Sequence, residues 1–305
     1  MSKATTAQKP PRAAATAKKN AKTTAAPAQR AKTTAAVATP ANSAVKTEGQ
    51  KLQTLNLLLA FLFVVQAVAI PLYGAHKVAP VTTQYLTADT LQSQVAGHPV
   101  LVAATRHLYD KPLIWTVAVS LGVMALVHLL VATRLRSRYE AQQRQGINVF
   151  FWSGFGLSAG ITIAVIALLS GISNVATLLA IFVATIAGSL LVPAAQIVDN
   201  ERKGKGFLPH MVCAMPLVFT LLPWVMIGVS VWGALQFGGT IPGALWTIYA
   251  SMFGLYLILL GVTHFRMSLK GKLRNMPTAE RVYMLLGLVT TSALAWQVFA
   301  ESFIK

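Results

Sequence analysis

The residues able to do chemistry in this chain are few, and most sit inside apolar runs. Residues 281–303 read RVYMLLGLVTTSALAWQVFAESF, with Thr290, Thr291 and Ser292 as consecutive hydroxyls and no lysine. Such hydroxyls either meet a ligand or bond back to helix carbonyls one turn earlier. His128 stands within another apolar run. An imidazole there is either a proton-responsive group or a ring bonded to a neighbouring hydroxyl or carbonyl. The six histidines show no HxxxH spacing with a carboxylate, so no metal site is expected. Cys213 is the only cysteine, which excludes an intrachain disulfide and leaves a small apolar residue. No nucleophile–base pair and no paired carboxylates can be named, so the chain is not expected to be an enzyme.

The elements that must carry these residues are membrane helices. The composition is 55% hydrophobic and only 11% charged, where a water-soluble domain carries roughly 25% charged residues. A bilayer core takes about 20 apolar residues per helix. Seven runs qualify, at roughly 53–74, 112–133, 148–171, 174–198, 207–235, 242–265 and 282–303. The expected fold class is therefore an all-α membrane protein built as a seven-transmembrane-helix bundle. No signal-peptide pattern opens the chain, so the first run is expected to start insertion without cleavage.

Charge sets the expected orientation. Of the 26 Lys and Arg, only Lys77, Arg106, Lys111 and Lys305 fall on one side. The opposite side holds the tail from Lys3 to Lys51, Arg134 to Arg144, Arg202 to Lys205, and Arg266 to Arg281. This predicts a multi-pass cell-membrane protein with its N-terminus cytoplasmic and its C-terminus outside.

Residues 1–50 are Ala-, Thr-, Lys- and Pro-rich, with AKTTAA at both 21–26 and 31–36. They lack the large apolar side chains needed to offset ordering entropy, so this basic cytoplasmic tail is expected to be disordered. Its basic residues, Lys3 to Lys51, suit anionic lipid headgroups, at about 1 kcal/mol per charge near the surface, or a cytoplasmic protein. Nucleic acid is disfavoured, because the tail has no aromatic residue for base stacking. The membrane domain is then 51–305, with one long outer loop at 75–111. Within that loop, Val81–Leu86 and Val100–Thr105 are β-compatible runs that fit a hairpin.

In the third run, Gly156-x-x-x-Gly160, with Gly154 and Ser158, gives small residues for close helix packing. Packing within the bundle is the first reading and dimerisation the second. Pro209, Pro216 and Pro223 are expected to bend the fifth helix. His210 and His264 fall near helix ends and read as interfacial.

Several stretches together resemble the heliorhodopsin family. Glu280-Arg281-Val282-Tyr283 followed by Ser292-Ala293-Leu294-Ala295-Trp296-Gln297-Val298-Phe299 resembles its seventh helix. Gln66–Ile70, His128–Leu130, Ile166–Ile172, Pro223–Ile227 and Tyr249–Phe253 resemble other helices in the same order. The resemblance covers about residues 53–303 and implies a rhodopsin-like bundle with the inverted orientation already read from charge. It also implies a homodimer and a hairpin in the outer loop.

In that family a seventh-helix lysine carries retinal as a Schiff base, and a third-helix glutamate is its counterion. The position matching the lysine is Thr291, and a family serine one turn earlier corresponds to Gly287. A threonine hydroxyl cannot form an imine. No Asp or Glu occurs between Glu140 and Asp199, so the counterion is absent as well. A protonated Schiff base needs that carboxylate, and the two losses are coherent.

The resemblance thus implies a protein that cannot form a retinal Schiff base. No cofactor is expected, although the resemblance leaves open retinal or carotenoid held without a covalent bond. Gly287, Thr290, Trp224, Trp296 and His128 are the residues expected to line any remaining pocket. The expected function is non-enzymatic sensing, signalling or binding. The alternative is a transporter or channel for a small or apolar solute, and the scarcity of ionisable residues in the runs argues against it.

Overall fold

The computed structural model describes residues 40–202, 207–238, 240–268 and 275–301. The tail at 1–39, expected to be disordered, lies outside the described residues. The order is α1 (Pro40–Tyr73), β1 (Val78–Ala88), α2 (Thr90–Ala96), β2 (Leu101–Pro112), α3 (Leu113–Ala132), α4 (Arg136–Arg144), α5 (Val149–Leu169), α6 (Val175–Arg202), α7 (Phe207–Gly233), α8 (Gly243–Ser268) and α9 (Met276–Glu301). A π-turn, Ala234–Gly238, follows α7. Helix α1 opens at Pro40, so residues 40–50 belong to a helix and not to the expected tail.

Among the described residues, seven helices are long and apolar enough to cross a membrane: Glu48–Tyr73, Leu113–Ala132, Val149–Leu169, Val175–Glu201, Ala214–Gly238, Gly243–His264 and Met276–Glu301. They match the seven apolar runs. The seventh starts at Met276, ahead of the expected 282, because a carboxylate and a guanidinium are accommodated in its first turns. Large apolar side chains such as Phe61, Val225 and Val229 stay exposed on the bundle's outside. That surface suits lipid and would be costly in water.

Span α5 is the most buried. It packs against α3, α6 and α9, while α1 packs on α3 and α6 on α7. Close approach explains its glycines. A Cβ on Gly154 would stand 2.5 Å from Val127 of α3. On Gly156 it would stand 2.7 Å from Ser189, and on Gly160 2.8 Å from Phe182, both of α6. The small residues therefore serve packing inside the bundle, and they do so on two sides of α5, not on one face.

Local signals end and start the helices. Gly171, at φ 84°, turns the chain after α5, as helix C-termini commonly require. The Asn174 side chain then accepts from the Ala176 and Thr177 amides, which opens α6.

Strands β1 and β2 form an antiparallel hairpin from Val78↔Pro112 to Ala88↔Leu101, with a bulge between Val81 and Thr82. It includes both β-compatible runs. Helix α2 closes its tip, with Asp89 capping the Gln92 amide. Thr82 fastens the hairpin to the α5–α6 turn through its amide on the Ser173 carbonyl, 2.9 Å.

Candidate functional site

Helix α9 turns one stripe inward: Glu280, Tyr283, Gly287, Thr290, Thr291, Leu294 and Val298 are buried. Their spacing follows 3.6 residues per turn, so residues eleven apart, such as Glu280 and Thr291, share a face. Gly287 is met by Phe151 of α5, whose ring would lie 3.1 Å from an added Cβ. Thr290 and Thr291 are 1% and 3% exposed. Thr290 Oγ1 and Ser292 Oγ are buried without a hydrogen-bond partner, so these two hydroxyls do not bond back to helix carbonyls.

A continuous run of rings fills the core beside this stripe. Tyr283 lies 6.0 Å from Phe151 and 5.3 Å from Trp152. Phe155 reaches Tyr256 of α8 at 6.1 Å, and Tyr256 reaches Trp224 of α7 at 6.0 Å. A cavity of about 10 Å³ remains among Trp152, Phe155, Thr185, Ser189, Thr220 and Tyr256. That is room for about one water. Trp152 Nε1 and Tyr256 Oη, both unpartnered, belong to residues of its wall.

The expected pocket residues do not all come together. Trp224 is 9% exposed and joins the ring run through Phe253 and Tyr256. Trp296 lies on the far side of α9. It is 45% exposed, and its indole donates to Gln66 Oε1 of α1 at 2.9 Å. His128 is buried against α1, where its ring stacks on Phe63 at 5.7 Å. Its Nδ1 is 2.7 Å from Asn56 Oδ1. The Asn56 amide nitrogen is already given to the Leu52 carbonyl, 2.8 Å. Hence Nδ1 is the donor, and Nε2 is left without a partner. His264 is exposed. The side chains of Cys213 and His210 lie outside the described residues.

A second buried polar group sits nearer the α4 face, and sequence reasoning missed it. Glu280, 1% exposed, accepts from Tyr139 Oη at 2.9 Å and from the Asn148 side-chain amide. Asn148 is held in turn. Its own amide donates to Gln196 Oε1 at 3.1 Å, and its Oδ1 caps the Phe151 amide at 3.0 Å. Arg266, 7% exposed, donates to the Gly146 carbonyl and to Met276 Sδ close by. Burial, reinforced by the adjacent Glu280 carboxylate, pushes the Tyr139 hydroxyl well above the usual phenol range. Tyr139 therefore remains a protonated donor at physiological pH.

This cluster adds to the few ionisable residues read from the apolar runs: besides His128, Glu280, Arg266 and Asp199 are buried. The available signal was the helical phase that puts Glu280 on the face of Thr291. Among the described residues, no three His, Cys, Asp or Glu converge to hold a metal ion. Lys51 and Lys77 are exposed, and Lys111 is half-buried at the hairpin's end.

The family model named Heliorhodopsin matches residues 52–303. No curated protein matches the chain.

Proposed function

The chain belongs to the heliorhodopsin family, and from that premise we propose that it is a non-enzymatic sensory or signalling membrane protein working without a retinal Schiff base. The observation that carries this reading is α9 itself, which has no lysine from Met276 to Glu301. Where the family lysine is expected, Thr291 is packed into the core.

Three further features support it. Helix α5, Val149–Leu169, holds no Asp or Glu to serve as counterion. The ring of Phe151 occupies the space in front of Gly287. The cavity among the rings, about 10 Å³, is far smaller than a retinoid. The residues present therefore do not fit a covalently held retinal.

What remains is a bundle in which Glu280 of α9 is bonded to Tyr139 of α4 and to Asn148 at the start of α5. The face that carries α4 also carries the basic segments. By the positive-inside rule it is cytoplasmic, where an anionic leaflet or an acidic protein would meet it. Trypsin added to inside-out vesicles should then remove the basic tail, and right-side-out vesicles should protect it.

The deciding experiment is an absorption spectrum of the purified protein after incubation with all-trans retinal, repeated with hydroxylamine and after borohydride reduction. The expected spectrum is that of free retinal. A shifted band insensitive to both reagents would assign a ligand held without a covalent bond. A reducible visible band would overturn the reading.

A further inference from the structure

Helix α4 sorts its charges by face. Ser137, Arg138, Ala141 and Arg144, with Gln145 at its C-terminal end, are exposed, and their helical spacing puts them on one stripe. Arg134, in the turn before the helix, is exposed as well. The opposite side carries buried Tyr139 and half-buried Arg136 and Glu140. Glu140 is the only acid of the helix, and it accepts from Arg136 Nε at 2.9 Å. Arg136 also donates to Gln53. Arg134, Arg138 and Arg144 take part in none of the ion pairs among the described residues. The charge that α4 turns outward is therefore wholly positive.

This stripe is held at one level. Only residues 133–135 separate α4 from the end of α3, and only residues 145–148 separate it from the start of α5. Tyr139 is bonded to Glu280 in the first turns of α9, and Arg136 to Gln53 in the first turns of the α1 span. These ties keep α4 against the ends of membrane spans, the level at which lipid headgroups meet a protein.

The make-up of the stripe selects its partner. A protein partner would need an apolar or aromatic anchor to exclude water around the arginines. Only Ser137, Ala141 and Gln145 stand among them, and none is such an anchor. A guanidinium, by contrast, meets phosphate oxygens through two parallel bonds, and a hydroxyl or an amide adds a donor. We propose that Arg134, Arg138 and Arg144 bind the phosphate groups of anionic lipid headgroups. Arg136, already bonded to Glu140 and Gln53, takes no part. The inference rests on the reading that this face meets an anionic surface, and it names the residues that do so.

The test is isothermal titration of the full-length protein, in a neutral detergent, with short-chain phosphatidylglycerol. Phosphatidylcholine of the same chain length, free glycerol 3-phosphate and a glutamate hexapeptide are the comparison ligands. Saturable binding is expected for phosphatidylglycerol and much weaker binding for the other three. The variant carrying Arg134→Gln, Arg138→Gln and Arg144→Gln should lose about fivefold in affinity per arginine, the equivalent of about 1 kcal/mol each, with an unchanged melting curve. Arg138→Gln alone supplies a second variant should the triple one fail to fold. A charge-matched control in the tail, Lys3→Gln with Lys9→Gln and Arg12→Gln, should lose far less. Equal binding of phosphatidylcholine, full affinity in a folded α4 variant, or an equal loss in the tail variant overturns the proposal. Binding of glycerol 3-phosphate or of the hexapeptide as tight as that of the lipid also overturns it, in favour of a soluble phosphate or an acidic protein. Neither membrane orientation nor retinal enters this titration, so its failure leaves the spectral test of the Schiff base reading untouched.

Discussion

Tyr139 Oη donates to Glu280 Oε1 at 2.9 Å, across 141 residues of sequence, and so ties the short α4 to the first turns of α9. With the Asn148 amide on the other oxygen, the carboxylate is satisfied from two elements at once. A buried carboxylate is tolerated only on such terms.

Removing either partner should therefore destabilise the bundle. Tyr139→Phe leaves Glu280 Oε1 short of its donor and should cost about 1–3 kcal/mol. Glu280→Ala orphans the Tyr139 hydroxyl and the Asn148 amide together and should cost more. Glu280→Gln, which keeps an acceptor, should cost least. Thermal melts of the three variants in one detergent give the order, and a Glu280→Ala protein as stable as the wild type would contradict it.

The Tyr139 hydroxyl also predicts an alkaline effect. Its folded-state pKa is raised above the unfolded value, which is about 10. The stability it contributes is fully present below that value and is lost as pH rises above it, because the unfolded chain releases the proton first. Melting temperature should be insensitive to this group between pH 6 and 9 and should fall beyond about 10. In Tyr139→Phe the alkaline fall should be shallower. An identical fall in both proteins would mean that Tyr139 does not titrate on unfolding.

Helix packing gives a sharper contrast. Gly154→Ala places a methyl 2.5 Å from Val127, and Gly156→Ala places one 2.7 Å from Ser189. Each forces α5 away from a neighbour and should cost about 1–3 kcal/mol. Gly122→Ala meets no atom within 4 Å and should be neutral or stabilising by up to about 1 kcal/mol. Equal melting temperatures for all three variants would refute this account of the close helix approaches.

The spans were legible because long apolar runs report burial in lipid directly, and the hairpin because its β-compatible runs are bounded by polar residues. Helix α4 was not: RSRYEAQQR has no apolar period, and Tyr139 alone anchors it inward. The seventh helix was read as starting late because Glu280 and Arg281 interrupt the apolar run. Their partners, Tyr139, Asn148 and Glu48, lie far away in sequence. Trp296 joined the expected pocket by motif, yet it lies nine residues, or two and a half turns, from Gly287 and so on the opposite face. Helical phase alone would have excluded it. Conversely, the ring of Phe151 against Gly287 depends on how α5 is rotated against α9, which no single-helix pattern encodes.

Placing a lysine at Thr291 tests the proposed reading that its absence there keeps this chain from forming a pigment. Thr291 is 3% exposed, so in Thr291→Lys an ammonium would be buried in the bundle. On insertion scales a lysine at the centre of a membrane helix costs about 2.5–3.5 kcal/mol, and α5 offers no carboxylate to offset it. The variant should therefore express poorly and melt below the wild type. On the proposed reading, the Phe151 ring against Gly287 and the small cavity beside it obstruct a polyene, so retinal should not bind Thr291→Lys without a second change such as Phe151→Ala. In the double variant any imine formed should be unprotonated, for want of a counterion, and should absorb in the near ultraviolet. A visible band from Thr291→Lys alone would show that the pocket and a counterion both survive, which would leave the absent lysine as the only barrier to pigment formation.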